Sequence, residues 1–302
     1  MRQFILEKNP GKQGIIILRG KDFRYLRQVL RVKPGDMVSV RLPDGVLKNA
    51  TVAKTDDSER TVTLQICADT FTESSEKSSV SLSPSQHSQI TRGVQASEIE
   101  ADTISASNNI EYWLFQFIPK PQKFEQIVRQ ATECGIKRIV PVIGEYSEKS
   151  SVIALQGHDE KPGAKKERIA RIIKEARQQS GSPVETVVED PVALGEAVEL
   201  WKNSGMADAV QVGNDANLED SVGVVLYERS EGCRPLSEIL KERDGIKRIC
   251  IVCGCEGGIS PGEIDFLVKK GLFYLIHFSV NILRCETAAL YGIAAVQSCA
   301  SF

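Results

Sequence analysis

Apolar and polar positions alternate with two different periods along this chain, and the change of period divides it. Up to residue 66 the short runs "GIIILRG", "DMVSVRL", "NATVAKT" and "TVTLQIC" read as strands, with "PDG" as a turn signal. Between the first two, "KDFRYLRQVLRV" places Phe23, Leu26, Val29 and Leu30 at helical spacing. From residue 111, apolar runs of strand length alternate with amphipathic stretches of helix length. "EYWLFQFI", "RIVPVIG", "ETVVED", "GVVLYER", "RICIVCG" and "LFYLIHFS" are the expected strands. "KFEQIVRQATECG", "KKERIARIIKEARQQS", "LGEAVELWKNSG", "PLSEILKERDG", "SPGEIDFLVKKG" and "ILRCETAALYGIAAVQSCA" are the expected helices. This alternation predicts an α/β domain built on a mainly parallel sheet covered on both faces. In such sheets ligands bind beyond the carboxyl ends of the strands.

Residues 69–110 follow neither period. The segment is rich in Ser and poor in aromatics, so it buries too little apolar area to offset its ordering entropy. The expected organisation is a small β-barrel-like domain with one basic helix over 1–68, a flexible linker or insertion over 69–110, and the α/β domain over 111–302. Two domains also suit a chain of 302 residues.

Charge and composition narrow the function classes. No apolar run approaches the roughly 20 residues that span a bilayer, so no membrane partner is expected. The start "MRQFILEKNPGKQG" turns polar too early for a secretory signal. The cysteines sit mostly in apolar stretches, which points to free thiols in a cytoplasmic location. A net charge of −2 argues against a general polyanion binder, but the distribution is uneven. Residues 1–66 carry 13 Lys/Arg against 7 Asp/Glu, and residues 112–177 carry 13 against 8. Two basic segments can attract phosphates locally even in an acidic chain.

The stretch "CIVCGCEGGIS", residues 250–260, raises two readings. Cys250, Cys253 and Cys255 suggest a metal cluster, but a structural zinc site needs four ligands, and there is no second Cys-x-x-Cys and few histidines. No metal is therefore expected. The alternative is a strand-to-helix loop. Ser260 is a natural N-cap, Pro261 takes the first helical position, Glu263 completes a capping box, and Gly271 ends the helix. Three glycines in five residues allow a ligand to pack against bare backbone. A second polar group, Arg284, Glu286 and Thr287, opens the last helix at the same sheet edge.

These motifs resemble the RsmE-type 16S ribosomal RNA (uracil-N3-)-methyltransferases of the SPOUT superfamily. The family's Gly-Pro-Glu-Gly-Gly loop corresponds to "GCEGG" at 254–258, and its Leu-Gly-x-x-Ile-Leu-Arg-x-Glu-Thr-Ala segment to "FSVNILRCETA" at 278–288. "EARQQS" at 175–180 and the entry "PKPQKFEQIVRQATECGIKRIVPVIGEYSE" fit as well. The N-terminal "MRQF" and "RQVLRVKPGD" match the family's PUA-like RNA-binding domain. The resemblance covers nearly everything except the linker. It implies a C-terminal trefoil knot holding a cofactor pocket, a homodimer, S-adenosylmethionine as methyl donor, and a uridine of 16S rRNA in the small subunit as acceptor.

Site residues follow from the two readings together. The resemblance implies that Gly254, Glu256, Gly258, Phe278, Val280, Ile282 and Leu283 cradle the adenosine, with Tyr227 in a third loop. Uracil N3 carries a proton, so the site needs a base or groups that stabilise charge developing on O2 and O4. Arg284 can donate to those oxygens, Glu286 can take a proton or orient Arg284, and Thr287 offers a hydroxyl. Arg24, Arg27, Arg31, Lys33, Lys120 and Lys123 are candidates for RNA phosphate contacts. The chain departs from the family at Cys255 for proline, at Phe278-Ser279 for Leu-Gly, and at Tyr146 and Ser182, where arginine is frequent in relatives. Those departures keep two alternatives open: a non-catalytic RNA-binding or ribosome-assembly protein on the same scaffold, and a related methylase acting on a ribose 2′-oxygen.

Overall fold

The computed structural model describes residues 3–11, 13–67, 110–156, 163–204 and 220–301. The Ser-rich segment expected at 69–110 lies, except for Ile110, outside the described residues, as do His87 and His158. The described residues divide into two compact units, one of residues 3–9, 38–48, 110–156, 163–204 and 220–301, the other of residues 10–11, 13–37 and 49–67.

In the second unit, β2 (Ile15–Arg19) and β5 (Thr61–Ile66) pair antiparallel, and β5 pairs antiparallel with β4 (Leu47–Asp56), with a register shift between Val52 and Lys54. Helix α1 (Gly20–Arg24) continues as a π-helical turn, Tyr25–Val29, closed by Leu30 N–H donating to Tyr25 O at 3.0 Å. Phe23 and Leu26 are buried, but Val29 is 52% exposed. Wider i→i+5 spacing carries Val29 off the face that a 3.6-residue period assigns it.

In the first unit, β1 (Phe4–Ile5) pairs parallel with β3 (Met37–Arg41). The "PDG" turn after β3 is formed as expected, with Gly45 at φ +86°. The main body is a parallel sheet. Its strands are β6 (Glu111–Phe117), β7 (Arg138–Ile143), β8 (Val187–Val188), β9 (Val192–Ala193), β10 (Ser221–Leu226), β11 (Arg248–Cys253) and β12 (Tyr274–Ile276). The order is β12-β10-β11-β6-β7-β8, with β9 also on β7, and every pairing is parallel.

Alternation along β11 sorts the core into two layers. Ile249, Ile251 and Cys253 face the helices α2 (Pro121–Glu133), α4 (Ala164–Ser180), α6 (Leu236–Lys241) and α8 (Cys285–Ala300). Cys250 and Val252 face α5 (Leu194–Ser204) and α7 (Pro261–Lys269). Burial on both faces is why β11 is apolar from Ile249 to Cys253.

Helix α7 begins as its residues dictate. Ser260 Oγ accepts from Glu263 N–H at 3.4 Å, and Glu263 Oε2 accepts from Ser260 N–H at 2.9 Å. Its other end falls at Gly271 as expected, with Lys270 as the C-cap, but the turn is made differently. The left-handed residue is Leu272, at φ +59°, not Gly271. Gly271 serves close packing instead: a Cβ there would lie 2.6 Å from Leu267 O and 2.7 Å from the Phe273 ring. Helix α3 (Lys149–Gln156), β1 and β9 are elements the pattern did not predict.

Candidate functional site

All strands of the parallel sheet end at one edge, and the segments after β10, β11 and β12 enclose the site there. A cavity of about 300 Å³ lies between the segment after β11, the segment after β12 and the end of β10. All eight positions expected to cradle a nucleoside line it: Tyr227, Gly254, Glu256, Gly258, Phe278, Val280, Ile282 and Leu283. Leu226, Ile259 and Ala288 add apolar wall, and His277 and Glu228 add polar groups. The size falls at the lower end of the range typical of small-molecule sites.

The glycine loop is folded tightly on itself. Gly258 N–H donates to Cys255 O at 3.0 Å, and Gly258 holds φ +79°. A Cβ on Gly254 would lie 2.9 Å from Gly258 C, so a side chain there would force the turn open. Beneath the loop, Gln116 is fully buried at the end of β6, and its Nε2 donates to Gly254 O at 3.0 Å and Phe117 O at 2.9 Å. Its Oε1 is buried without a partner. The residue falls in the otherwise apolar run "EYWLFQFI", and that lone amide was the available signal for it.

Each loop cysteine has a packing role. Cys250 and Cys253 are buried strand residues whose thiols burial pushes well up. Cys255 is 6% exposed, and its thiol donates to Tyr146 O at 3.2 Å. Cys285, the first residue of α8, donates to Glu286 Oε2 at 3.3 Å, and burial together with that carboxylate pushes its thiol up to about 12. Among the described residues no three His, Cys, Asp or Glu are grouped to hold a metal.

The proposed chemical residues flank the cavity rather than line it. Arg284 is the exposed N-cap residue of α8, and its carbonyl accepts from Thr287 N–H at 2.9 Å and Ala288 N–H at 2.7 Å. It therefore precedes the helix, with Ile282 and Leu283 in the approach loop. Thr287 is exposed. The Glu286 side chain is only 12% exposed and lies 3.2 Å from Lys123 Nζ. Burial opposes its charge, but its own backbone N–H, the Cys285 thiol and Lys123 outweigh that and hold its carboxyl below the usual range. Such a carboxylate is a poor proton acceptor and a good anchor.

The candidate phosphate contacts separate into two kinds. Arg24, Arg31, Lys33 and Lys120 are exposed. Arg27 is engaged: Nε and Nη2 donate to Asp57 Oδ1 and Oδ2 at 2.9 and 2.6 Å, and Nη1 to Val32 O at 2.9 Å. Lys123 is also engaged, 3.5 Å from Glu256 Oε1 and 3.2 Å from Glu286 Oε2. Of the departures, Tyr146 is 46% exposed beside the glycine loop, whereas Ser182 is 7% exposed and does not offer a surface position.

Comparison with known proteins fits this geometry. The family of RNA methyltransferase domains matches residues 106–297. The Ribosomal RNA small subunit methyltransferase E of Aquifex aeolicus is 30% identical over 166 residues, 55% of this chain and 58% of that protein. The chain thus spans little more than half the length of that relative. The Ribosomal RNA small subunit methyltransferase E 2 of Borreliella burgdorferi is 23% identical over 295 residues, 97% of this chain and 96% of that one. The crystal structure of Ribosomal RNA small subunit methyltransferase E from Neisseria gonorrhoeae bound to S-adenosyl methionine has a TM-score of 0.65 at 19% identity, over 99% of this chain and 97% of that chain. At that identity the likeness is one of fold.

Proposed function

The chain belongs to the RNA methyltransferase family, and on that footing we propose that it transfers a methyl group from S-adenosylmethionine to N3 of a uridine in the 16S rRNA of the small ribosomal subunit. The observation that carries the reading is the cavity itself. Its walls are the glycine loop and the 277–285 segment, the two stretches that bear the family motifs. The residues present fit a nucleoside donor. Bare backbone at Gly254 and Gly258, apolar wall from Leu226, Ile259 and Leu283, and the carboxylates of Glu228 and Glu256 offer surface for the base and acceptors for a ribose.

When bound, S-adenosylmethionine supplies a sulfonium methyl that is already electrophilic. The chain's task is to align an acceptor with it and to manage one proton. Arg284, exposed beside the cavity, stabilises charge developing on the uracil oxygens. Glu286 is held ionised and serves to orient the start of α8 rather than to accept the N3 proton. The Thr287 hydroxyl completes the acceptor side, and the N3 proton would leave to solvent water, which reaches the exposed side chains of Arg284 and Thr287.

The same membership supports a SPOUT domain with a C-terminal trefoil knot, a PUA-like RNA-binding domain at the N-terminus, and action in the cytoplasm. Arg24, Arg31, Lys33 and Lys120 suit phosphate contacts. A homodimer is supported by exposed apolar side chains next to the cavity: Val280 at 46%, Ile282 at 88% and Tyr291 at 42%.

The test uses small subunits from cells lacking the protein, incubated with the purified chain and labelled S-adenosylmethionine. The expected result is label at one uridine that then stalls reverse transcription, because N3 methylation blocks the Watson–Crick edge. Transfer to a ribose, which leaves reverse transcription through that edge intact, or no transfer at all, overturns the proposal.

A further inference from the structure

Two carboxylates, Glu256 in the cavity lining and Glu286 beside it at the start of α8, converge on one cation. Glu256 belongs to the glycine loop, Glu286 to the first turn of α8, and Lys123 to the first turn of α2. The Lys123 ammonium lies 3.5 Å from Glu256 Oε1 and 3.2 Å from Glu286 Oε2, with the three side chains 26%, 31% and 12% exposed. Each acid is fixed by a second donor. Lys120 N–H donates to Glu256 Oε1 at 3.3 Å, and the Cys285 thiol donates to Glu286 Oε2 at 3.3 Å. Lys123 Nζ also stands 4.0 Å from Cys285 Sγ. Glu256 and Cys285 both line the cavity, so the bridge crosses from one wall to the other.

We infer that Lys123 is a positioning residue that ties the glycine loop to the start of α8 and so sets the width of the cofactor cavity between them. The inference rests on the reading that this cavity takes S-adenosylmethionine. An ammonium already shared by two carboxylates has little left to offer an RNA phosphate, and its removal sets two like charges against each other across the mouth. Because Glu256 belongs to the glycine loop and Glu286 to the first turn of α8, next to the lining residue Cys285, that repulsion acts on the spacing of loop and helix. The ionisable groups facing Glu286 are Lys123 from α2, Cys285 from its own helix and, across the bridge, Glu256 from the loop; the Cys253 thiol on β11 donates to the Cys285 carbonyl oxygen at 3.6 Å.

The experiment compares Lys123→Met and Lys123→Arg with the full-length wild-type chain. Calorimetry with S-adenosylmethionine should show about tenfold weaker binding for Lys123→Met, while Lys123→Arg, which keeps the charge, stays within about threefold. Turnover at saturating cofactor should change far less than affinity. Independently of any activity, carboxyl ¹³C NMR should show the Glu286 titration moving up in Lys123→Met, with the signal assigned from Glu286→Gln. Wild-type cofactor affinity with an unmoved Glu286 overturns the inference. So does a Lys123→Met chain that loses rRNA affinity alone, because Lys123 is then a phosphate contact. If the wild-type chain binds no S-adenosylmethionine, the functional reading fails, and the Glu286 titration alone decides whether the bridge exists.

Discussion

The Cys255 thiol donates to the carbonyl oxygen of Tyr146 at 3.2 Å, joining the glycine loop to the loop after β7. A proline, the family's residue at this position, has no such donor. Both partners are departures from the family pattern, and they meet. Gly257 completes the contact, since a Cβ there would lie 2.7 Å from Tyr146 Cβ. Cys255→Ala should lower stability by about 1 kcal/mol, while Cys255→Ser, which keeps a donor, should lose less. Urea midpoints of the two variants check this, and equal losses would remove the thiol bond from the account.

Gln116 supports the loop from below. Gln116→Leu removes its donors to Gly254 O and Phe117 O but also removes the unpartnered Oε1. Lost hydrogen bonds and relieved desolvation offset each other, so stability should change by less than about 1 kcal/mol. Affinity for S-adenosylmethionine should nonetheless fall about tenfold, because the Gly254 peptide is no longer held. Calorimetry and urea denaturation on the same variant separate the two effects.

Arg284 is exposed and makes no side-chain cap, so Arg284→Ala should leave stability within about 0.5 kcal/mol of wild type. Methyl transfer to small subunits should fall about 100-fold or more, the scale of losing a donor to a developing oxyanion. Wild-type turnover in this variant would exclude Arg284 from the chemistry.

Glu286 makes stability depend on pH. Its carboxyl is held below its ordinary value in the fold, because its hydrogen bonds and Lys123 outweigh burial. It therefore contributes stability above the unfolded value and loses that contribution as pH falls through the folded one. Glu286→Gln should be less stable than wild type at neutral pH, and the gap should close as pH falls below about 4. Urea midpoints across that range give the measurement.

Much of this fold is legible in the sequence, for local reasons. Strand β11 is apolar from Ile249 to Cys253 because both its faces are buried, and Ser260, Pro261 and Glu263 mark the start of α7 through bonds within four residues. The cavity positions were legible because the motifs are contiguous. What escaped depends on distant partners. Arg27 and Asp57 are 30 residues apart, and Lys123 meets one acid from the glycine loop and one from α8, both far along the chain. Neither pairing leaves a trace in periodicity, so both cations read as free. The π-helical turn escaped because it changes the period partway through, and α3 because Lys149–Gln156 presents little apolar face, with Ser151 as its buried residue.

Strand β11 pairs with β10 on one side and with β6 on the other, so Ile251 sits beside Leu114, laid down far earlier in the chain. The synthesis of this protein is therefore out of step with its assembly. When translation reaches Cys253, β6, β7, β10 and β11 have been synthesised, yet no pocket can form, for its second wall runs from His277 to Cys285 and is still to be made. A donor molecule in the cell can reward only the finished chain. Whatever stabilisation binding adds arrives after the sheet is complete, as a selection for whole proteins over truncated ones.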